Sequence, residues 1–303
     1  MERYDWNAIV DGLNRYLHLR SIPIGMKLFE TVEAMEAIPK IRRPKAKHTT
    51  DQIVAQARQL GWTVGITMAD LIGAQCGAVI GLHPQDAEWL SGRRMAGVWF
   101  KSAEDASLHQ HAMDCVPHGR YRAMAVAPLT SGRLDPPDIC LIYGTPGQMI
   151  FFINGLQWTG YRKLSFTSVG ESACADSWGK ALKTGEPALT IPCYAERRYG
   201  GVADDELLMA IPPRFLPKVI EGLAALDKNG LRYAVPPYGI QSDAGAGLAV
   251  SYATTEMIRP KFAIPVHYGT FPVLRGTPQE YQAALGQTPT QIFPISPGDK
   301  LTF

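Results

Sequence analysis

Apolar residues at the start of the chain recur at the spacing of an amphipathic helix. Trp6, Ile9 and Leu13 fall on one face, and the pattern predicts a helix over 5–19. The run IGMKLF at 24–29 then has the length and composition of a buried strand. The first thirty residues therefore predict a helix followed by a strand.

Short apolar runs and helical patterns continue along the next two hundred residues in irregular order. Further strands are predicted at 62–68, 123–128, 139–143, 164–169, 188–192 and 207–211. Further helices are predicted at 51–60, 69–82, 146–158, 172–184 and 214–226, with an uncertain one within 83–120. This irregular order does not suit a doubly wound parallel sheet. The predicted fold class is therefore α+β, a mixed sheet with helices packed on it.

A Pro- and Gly-rich stretch, YAVPPYGIQSDAGAG, divides the chain near residue 240. We predict a main domain over 1–236, a linker over 237–247 and a small C-terminal helix–strand appendage over 248–303. The appendage has predicted helices at 248–258 and 278–285 and short strands at 261–266, 291–294 and 300–303. At about sixty residues it is small for an independent domain, so we expect it to dock on the main body.

Composition limits the classes of function. The chain is 46% hydrophobic and 19% charged with a net charge of +2, so no overall field favours nucleic acid or a membrane surface. The N-terminus MERYDWNAIV lacks the pattern of a signal peptide, and no run approaches about 20 apolar residues, so no membrane span is expected. We expect a cytoplasmic protein whose five cysteines are reduced thiols.

The run 170–212 holds the densest mixture of thiols, guanidinium groups and carboxylates in the chain. Cys174 falls in the first turn of a predicted helix, where the helix dipole can lower a thiol pKa. Arg197 and Arg198 follow Cys193 closely and are candidates to stabilise a thiolate or to hold an anionic substrate. Cys174 and Cys193 are therefore candidate nucleophiles.

The cysteines admit two other interpretations. Cys76, Cys174 and Cys193 are all flanked by small or polar residues, and together they are candidate ligands of a metal such as zinc. Simple packing is the third interpretation, and the residues leave all three open. Cys140 lies inside a predicted buried strand, where a small apolar role is expected.

Two further polar side chains are candidates for substrate binding. Glu206 can pair with Arg197 or Arg198 across the Gly200–Gly201 turn, although a solvated acidic turn is the simpler interpretation. Gln148 lies in GTPGQ, between a strand and a helix, which suits a ligand at a helix N-terminus as well as a tight turn.

A second group of metal-type side chains lies outside this run. It consists of His109, His111, Cys115 and His118. On a helix His111 and Cys115 would share a face while His109 would point away, and the spacing fits no zinc module. A solvated loop is favoured over a metal site here.

Most of the chain, from about Leu17 to Pro236, resembles the family known as domain of unknown function 169. The resemblance is carried in order by IPIGMKLF, CGAVIGL, PPDICLIYGTPGQM, GESACADSW, IPCYAERRYGG and DDELLMAIP. It implies a cytosolic fold and brings no settled activity. Members of that family often carry a further Cys shortly before the helix that begins near Asp51, where this chain has Thr49, Thr50 and Asp51.

The tail resembles a different group of proteins. EMIRPKFAIPVHYGTFPVLRGTPQEY is similar to the C-terminal end of metal-dependent hydrolases of the metallo-β-lactamase superfamily. The resemblance implies that His267 matches a late metal ligand of those enzymes. Their main motif, His-x-His-x-Asp-His, is absent from this sequence. His267 is therefore either a relic or part of a site shared with the main body or another subunit.

These observations favour a cytosolic small-molecule enzyme, a hydrolase or a lyase, that uses thiol or metal chemistry on an anionic substrate. Cys174, Cys193 and His267 are the candidate catalytic residues, and a divalent metal such as zinc is the candidate cofactor. One alternative is a metal- or cofactor-binding sensor without turnover, and another is an accessory subunit of a larger enzyme. No nucleic-acid or membrane partner is expected, and homo-oligomerisation is left open.

Overall fold

The computed structural model describes residues 4–233, 259–265 and 277–294. The chain divides into two compact units, Met1–Asp227 and Lys228–Phe303. The predicted linker 237–247, the predicted helix 248–258 and His267 lie outside the described residues.

The larger unit is built on a six-stranded sheet in the order β2–β3–β1–β4–β6–β5. Its strands are β1 Ile24–Phe29, β2 Val64–Thr67, β3 Ala123–Pro128, β4 Ile139–Gly144, β5 Ala188–Thr190 and β6 Leu207–Ile211. Each neighbouring pair in this order runs antiparallel. Because helices surround a mainly antiparallel sheet, the predicted α+β class is confirmed.

The helices of the larger unit vary in length from one turn to more than three turns. They are α1 Trp6–Leu17, α2 Val32–Glu36, α3 Thr50–Leu60, α4 Gln75–Val79, α5 Ala87–Leu90, α6 Ala103–Ala112, α7 Pro146–Gln157, α8 Lys180–Thr184, α9 Tyr194–Arg198 and α10 Leu216–Lys228. A π-helical turn, Ala175–Gly179, leads directly into α8. None of the helices in the described part of the chain is long and apolar enough to cross a membrane.

Both faces of the sheet are covered, and β4 shows how the sequence achieves this. Ile139, Leu141 and Tyr143 point to one face, where they join residues of α3, α4 and the π-helical turn. Cys140 and Ile142 point to the other face, where α1, α7 and α10 pack. Side chains of a strand alternate between faces, so a run that is apolar at every position is the pattern of a strand covered on both sides.

The long apolar runs were predicted well, and the polar segments were not. Strands 24–29 and 123–128 coincide with β1 and β3. The predicted strand 164–169 is wrong: that segment has no regular structure, and its residues are half-buried or exposed, although its alternation resembles a strand. The predicted helix 69–82 shortens to α4, because Gly73 adopts a left-handed φ of 79° that interrupts a helix.

The smaller unit contains short elements where the structure describes it. β7 Phe262–Ala263 pairs with β8 Gln291–Ile292 in parallel. Helix α11, Pro278–Leu285, lies between them along the chain. Thr277 and Glu280 form a capping box at its N-terminus. The prediction of a helix at 278–285 is confirmed.

Two glycines let α7 and α10 approach closely behind the sheet. A Cβ atom built on Gly222 of α10 would collide with the carbonyl oxygen of Gly155 of α7. Both positions are buried. The close approach depends on the absence of side chains at the crossing, because backbone atoms cannot move aside as a flexible side chain can.

Substituting Gly222 by Ala tests this packing. We expect Gly222→Ala to lower the free energy of unfolding by about 1–3 kcal/mol, because the added methyl group separates the two helices. Gly160→Ala is the matched control, since a Cβ there would meet nothing within 4 Å. Urea unfolding of both variants is the measurement. Equal stability of the two variants would show that the helices do not depend on the glycine contact.

Candidate functional site

Three cysteines that are distant in the sequence come together on the face of the sheet that Tyr143 occupies. The Cys174 thiol donates to the sulfur of Cys76 at 3.5 Å. Cys193 lies beside them, since its sulfur accepts from the backbone N–H groups of Ala173 and Glu196. The structure thus brings together the three cysteines that the sequence singles out as candidate metal ligands.

The elements that carry Cys76 and Cys174 are fastened to each other by a polar contact. The Gln75 amide, at the start of α4, donates to the Ser172 hydroxyl at 2.8 Å. Ser172 adopts a φ of 77°, a left-handed conformation that is rare for residues with a side chain. The chain then enters a turn of helix that carries Cys174 and continues as the π-helical turn, a distortion that is frequent at functional sites.

Burial makes these thiols weak acids. The Cys174 residue is 2% exposed, and both its hydrogen bond to Cys76 and its burial raise the thiol pKa well above its ordinary value. Burial also raises the pKa of Cys193 to about 12, assisted by the nearby charge of Glu196. The lowering expected for Cys174 at a helix N-terminus is not found, since each of the interactions that shift its pKa raises it. Both thiols are therefore protonated at neutral pH, which disfavours the low-pKa nucleophile interpretation.

Two buried carboxyl groups border the thiols. Asp51, in the first turn of α3, is 4% exposed, and Glu196, in α9, is 1% exposed. Burial and the charge of Asp51 raise the pKa of Glu196 to about 8, against the effect of hydrogen bonds that lower it. Burial raises the pKa of Asp51 to about 6, to which the charge of Glu171 contributes. The site therefore holds carboxyl groups whose pKa values bracket neutral pH.

Glu196 is hydrogen-bonded on one side only. Its Oε1 accepts from the Tyr143 hydroxyl at 3.2 Å, and the backbone N–H of Cys193 also donates to the carboxyl group. Its Oε2 is buried and has no hydrogen-bond partner in the structure. A buried polar atom without a partner carries a desolvation cost of about 1–3 kcal/mol, so such an atom is a sign that a further group belongs there.

Arg58 adjoins this cluster, and its guanidinium group is already engaged. The Arg58 guanidinium lies over the Tyr143 ring, 4.4 Å from its centroid, and forms a buried ion pair with Glu206 at 3.2 Å. Its Nη2 donates to the carbonyl oxygens of Gly200 and Gly201. Arg58 thus fixes the turn after α9, and Glu206 balances its charge.

The donor set suits a metal ion only in part as it stands. In the described ranges, no group of three or more His, Cys, Asp or Glu side chains is arranged to hold a metal ion. The sulfurs of Cys76 and Cys174, however, are 3.5 Å apart. Two thiolates bound to one tetrahedral zinc ion at 2.3 Å lie roughly 3.8 Å apart. The Cys76 and Cys174 sulfurs therefore have nearly the separation that two zinc ligands need. The unpartnered oxygen of Glu196 lies in the same cluster.

The two arginines of the sequence signature lie outside the thiol cluster. Arg197 donates to the carbonyl oxygens of Pro192 and Ala203 and pairs with Asp204 at 3.4 Å. Arg198 is exposed at the end of α9. Glu206 pairs with Arg58 and with neither of these residues. The structure gives Arg197 the role of stabilising the 192–204 segment, and no contact of the arginines with the thiols is seen.

Gln148 also has a structural role. Its amide nitrogen donates to the carbonyl oxygens of Leu17 and His18 at 2.8 and 2.9 Å, and its oxygen accepts from the Thr145 backbone. It therefore joins the end of α1 to the start of α7. The hydrogen-bonding groups of its amide are occupied by protein, and the tight-turn interpretation accounts for it.

The histidine-rich segment does not converge on a common point. His109 Nε2 contacts the carbonyl oxygen of Glu171 at 2.8 Å, and His118 contacts that of Gly81 at 3.2 Å. His111 is exposed and contacts the Ser107 carbonyl of its own helix. Each of these rings makes a contact with backbone. The favoured interpretation as a solvated loop is wrong for His109, which is buried in α6 because its ring packs against the main body and contacts the Glu171 carbonyl oxygen.

Four residues of the cluster were missed as site residues by sequence reasoning: Asp51, Tyr143, Glu196 and Arg58. Asp51 had a signal, since it lies where members of the resembled family often carry a further Cys. Glu196 lies in the IPCYAERRYGG motif, in which sequence reasoning selected the adjacent arginines instead. The sequence does not mark Tyr143 or Arg58 as site residues. Tyr143 fits the apolar pattern of its strand, and Arg58 fits the amphipathic pattern of its helix.

Comparison with known proteins agrees with the first resemblance. The model of DUF169, described as an uncharacterised ArCR, matches residues 12–222. The chain belongs to the DUF169 family. The matched range includes all three cysteines of the cluster and both of its buried carboxyl groups. No solved structure is matched.

Curated relatives match a much shorter stretch. A UPF0173 metal-dependent hydrolase of Polaromonas sp. is 51% identical over 53 residues, which is 18% of this chain and 19% of the relative. The UPF0173 metal-dependent hydrolase SH1218 of Staphylococcus haemolyticus is 40% identical over 53 residues, 18% of this chain and 22% of the relative. The chain therefore spans about a fifth of the length of these relatives, and the resemblance to metal-dependent hydrolases is confirmed for a short segment.

Replacing Glu196 by Gln tests the raised pKa of this buried carboxyl group. Between about pH 4.5 and pH 8 the folded protein keeps a proton on Glu196 that the unfolded chain releases. The free energy of unfolding should therefore fall as pH rises through this window, by up to about 1.4 kcal/mol for each pH unit. Glu196→Gln should flatten that dependence, measured by urea unfolding from pH 5 to pH 8 with chelator present.

Glu30→Gln is the control for this measurement. The Glu30 side chain is 62% exposed, so its replacement should leave the pH dependence of the wild-type protein in place. If the free energy of unfolding changes with pH by the same amount in Glu196→Gln and Glu30→Gln, the proton on Glu196 is not the cause of the pH dependence.

Proposed function

We propose that the thiol–carboxyl cluster of the main unit binds a thiophilic divalent cation such as zinc, and that it is the active site of a hydrolase of anionic small molecules. The observation that carries the proposal is the 3.5 Å approach of the Cys76 and Cys174 sulfurs beside the buried, unpartnered oxygen of Glu196. Relatives over the short segment are named metal-dependent hydrolases, which supports the same class of chemistry.

The chemistry of the donor set favours a soft or borderline metal. Cys76, Cys174 and Cys193 would hold the cation, since thiolates select zinc and similar ions over magnesium and calcium. A cation of charge two would also offset the excess of acidic groups in the cluster. Its binding releases the thiol protons, because a metal-bound thiol is deprotonated even where burial alone keeps it neutral.

The other residues of the cluster would transfer protons or fix the orientation of the group that transfers them. A bound divalent cation acts as a Lewis acid and lowers the pKa of a water molecule. Glu196 is the proposed proton carrier, because its pKa of about 8 lies near the working pH of a general acid or base. Tyr143 fixes the orientation of Glu196 through its hydroxyl, and Arg58 in turn lies against the Tyr143 ring.

A second candidate function is metal binding without turnover. Cys174 is 2% exposed and Cys193 is half-buried, so the sulfurs leave little room for a substrate. Structural metal sites are closed by protein ligands, whereas catalytic sites keep one open position. This observation favours a sensor or a structural metal centre, and activity measurements distinguish the two functions.

Cobalt binding tests the metal site directly. The wild-type protein, purified without a tag and reduced, should bind about one equivalent of Co²⁺ with the near-ultraviolet absorption of thiolate ligands. Cys76→Ser and Cys174→Ser should each reduce the affinity at least tenfold, because each removes one thiolate. Cys115→Ala is the matched control, since Cys115 is a half-buried thiol outside the cluster.

The pH dependence of this binding provides an independent check. Because burial raises the pKa of Cys174 and Cys193, the apparent affinity for the cation should increase as pH rises from 6 to 8. Binding that is unchanged in Cys76→Ser and Cys174→Ser, or that is lost equally in Cys115→Ala, contradicts the assignment of this cluster as the metal site.

Hydrolysis by the zinc-loaded protein separates the two candidate functions. If the site is catalytic, a panel of anionic esters, amides and lactones should include substrates whose kcat falls at least tenfold in Glu196→Gln, while zinc content stays the same. His267→Ala tests the tail by itself: if His267 is a metal ligand, as the resemblance implies, the variant should have a lower zinc content or a lower kcat. Stoichiometric zinc without turnover of any member of the panel favours the sensor function.

A further inference from the structure

The contact between Cys76 and Cys174 permits a second chemistry, one that needs no metal ion. Their sulfur atoms are 3.5 Å apart, although the residues are 98 positions apart in the sequence. A disulfide bond is about 2.05 Å long, so the two sulfurs would have to approach by a further 1.5 Å or about that. The fold has therefore already brought the two thiols to the point from which a disulfide forms.

The two thiols differ in their access to solvent. Cys76 is half-buried and follows closely on Ile72 and Gly73, which are exposed. Cys174 is 2% exposed. An oxidant that arrives from solvent therefore meets Cys76 first. Redox-sensing sites have this form, since a solvent-accessible cysteine is oxidised and a neighbouring cysteine, the resolving cysteine, then joins it in a disulfide.

The surroundings of the pair suit a disulfide. Cys174 belongs to the same apolar core as Ala175 and Trp178, and Cys76 packs against that core. A disulfide is uncharged and has no hydrogen-bond donor, so it leaves no unsatisfied group in an apolar environment. A sulfinic acid, the next stage of oxidation of a single thiol, would place a charge there, which is costly. The core therefore favours the disulfide over further oxidation of Cys76.

The other three cysteines are held elsewhere. The sulfur of Cys193 accepts from two backbone N–H groups. Cys115 accepts from the Gln85 amide at 3.5 Å. Cys140 is fully buried among the residues that cover the opposite face of the sheet. Cys174 is thus the cysteine in position to react with an oxidised Cys76.

We propose that Cys76 is a site of oxidation by peroxides and that Cys174 is its resolving cysteine. In the first step the Cys76 sulfur attacks one oxygen of hydrogen peroxide, the O–O bond breaks, and Cys76 sulfenic acid and one water molecule form. In the second step the Cys174 sulfur attacks the Cys76 sulfur and the S–OH bond breaks. The thiol proton of Cys174 leaves with the hydroxyl group as a second water molecule. Two thiols are thereby oxidised to one disulfide, and one peroxide is reduced.

The disulfide is reversible and would control the thiol cluster. A dithiol reductant restores both thiols by exchange and is itself oxidised to a disulfide. Metal ligation by cysteine needs thiolates, so the oxidised pair no longer supplies two of the three proposed ligands. This effect on metal binding rests on the proposed function, whereas the disulfide itself depends only on the contact between the two sulfurs.

Thiol counting and peptide mass mapping test the proposal on the metal-free, reduced full chain. After treatment with a small excess of hydrogen peroxide, the wild-type protein should lose two of its five free thiols, and dithiothreitol should restore them. Mapping should find the Cys76 peptide linked to the Cys174 peptide. Cys115→Ala is the matched control and should form the same link, since Cys115 is a half-buried thiol outside the pair.

Two variants separate the roles of the cysteines. Cys174→Ser should lose one thiol and keep a sulfenic acid on Cys76, which dimedone labels, because the resolving thiol is absent. Cys76→Ser should lose its cluster thiols at least tenfold more slowly than the wild type, because the accessible thiol is absent. The proposal is overturned by a link to Cys193, by oxidation of Cys76 in the wild type without a link, or by thiol loss in Cys76→Ser at the wild-type rate.

Cobalt binding by the oxidised protein keeps this proposal distinct from the proposed function. The linked protein should bind Co²⁺ at least tenfold more weakly than the reduced protein, and dithiothreitol should restore the affinity. A linked protein that binds Co²⁺ as tightly as the reduced protein contradicts the proposed metal site, while the mapped link still establishes the disulfide.

Discussion

The candidate site depends on the placement of three thiols and two carboxyl groups against one face of the sheet, where Cys174 and both carboxyl groups are buried and Cys76 and Cys193 are half-buried. Cys174 and Glu196 are almost fully covered, and both would be charged far more readily in water. The protein lowers this cost by keeping Cys174, Cys193 and Glu196 protonated at neutral pH, and by the hydrogen bonds from Cys174 to Cys76 and from Tyr143 to Glu196. The cluster is therefore stable without a cation and yet composed of the donors that a cation binds.

Arg58 has a central position in this arrangement. It joins α3 to the turn after α9 through Gly200 and Gly201, and its ion pair with Glu206 is buried at both ends. A buried pair of this kind adds little net stability over an apolar pair, but removal of one partner is costly. Arg58 thus fixes the position of α9, and with it the position of Glu196, relative to the thiols.

The apolar strands and the amphipathic helices could be predicted from the sequence because local patterns determine them. IGMKLF and AMAVAP form strands at the predicted residues, since runs that are apolar at each position suit a sheet covered on both faces. The segment 164–169 has a strand-like alternation but gains no neighbour with which to pair. Tertiary contacts decide whether such a segment becomes a strand, because its backbone needs hydrogen-bond partners that the sequence does not specify.

The sequence by itself determined which residue types were available: three cysteines and Glu196 in family-specific motifs, arginines nearby, and an α+β frame to hold them. Only the tertiary structure decided that Cys76 and Cys174, 98 positions apart, are in contact, and that Glu196 rather than Arg197 faces them. The reason is physical. A short helix such as α9 directs neighbouring side chains to opposite sides, and the packing of that helix on α3 selects which side is buried.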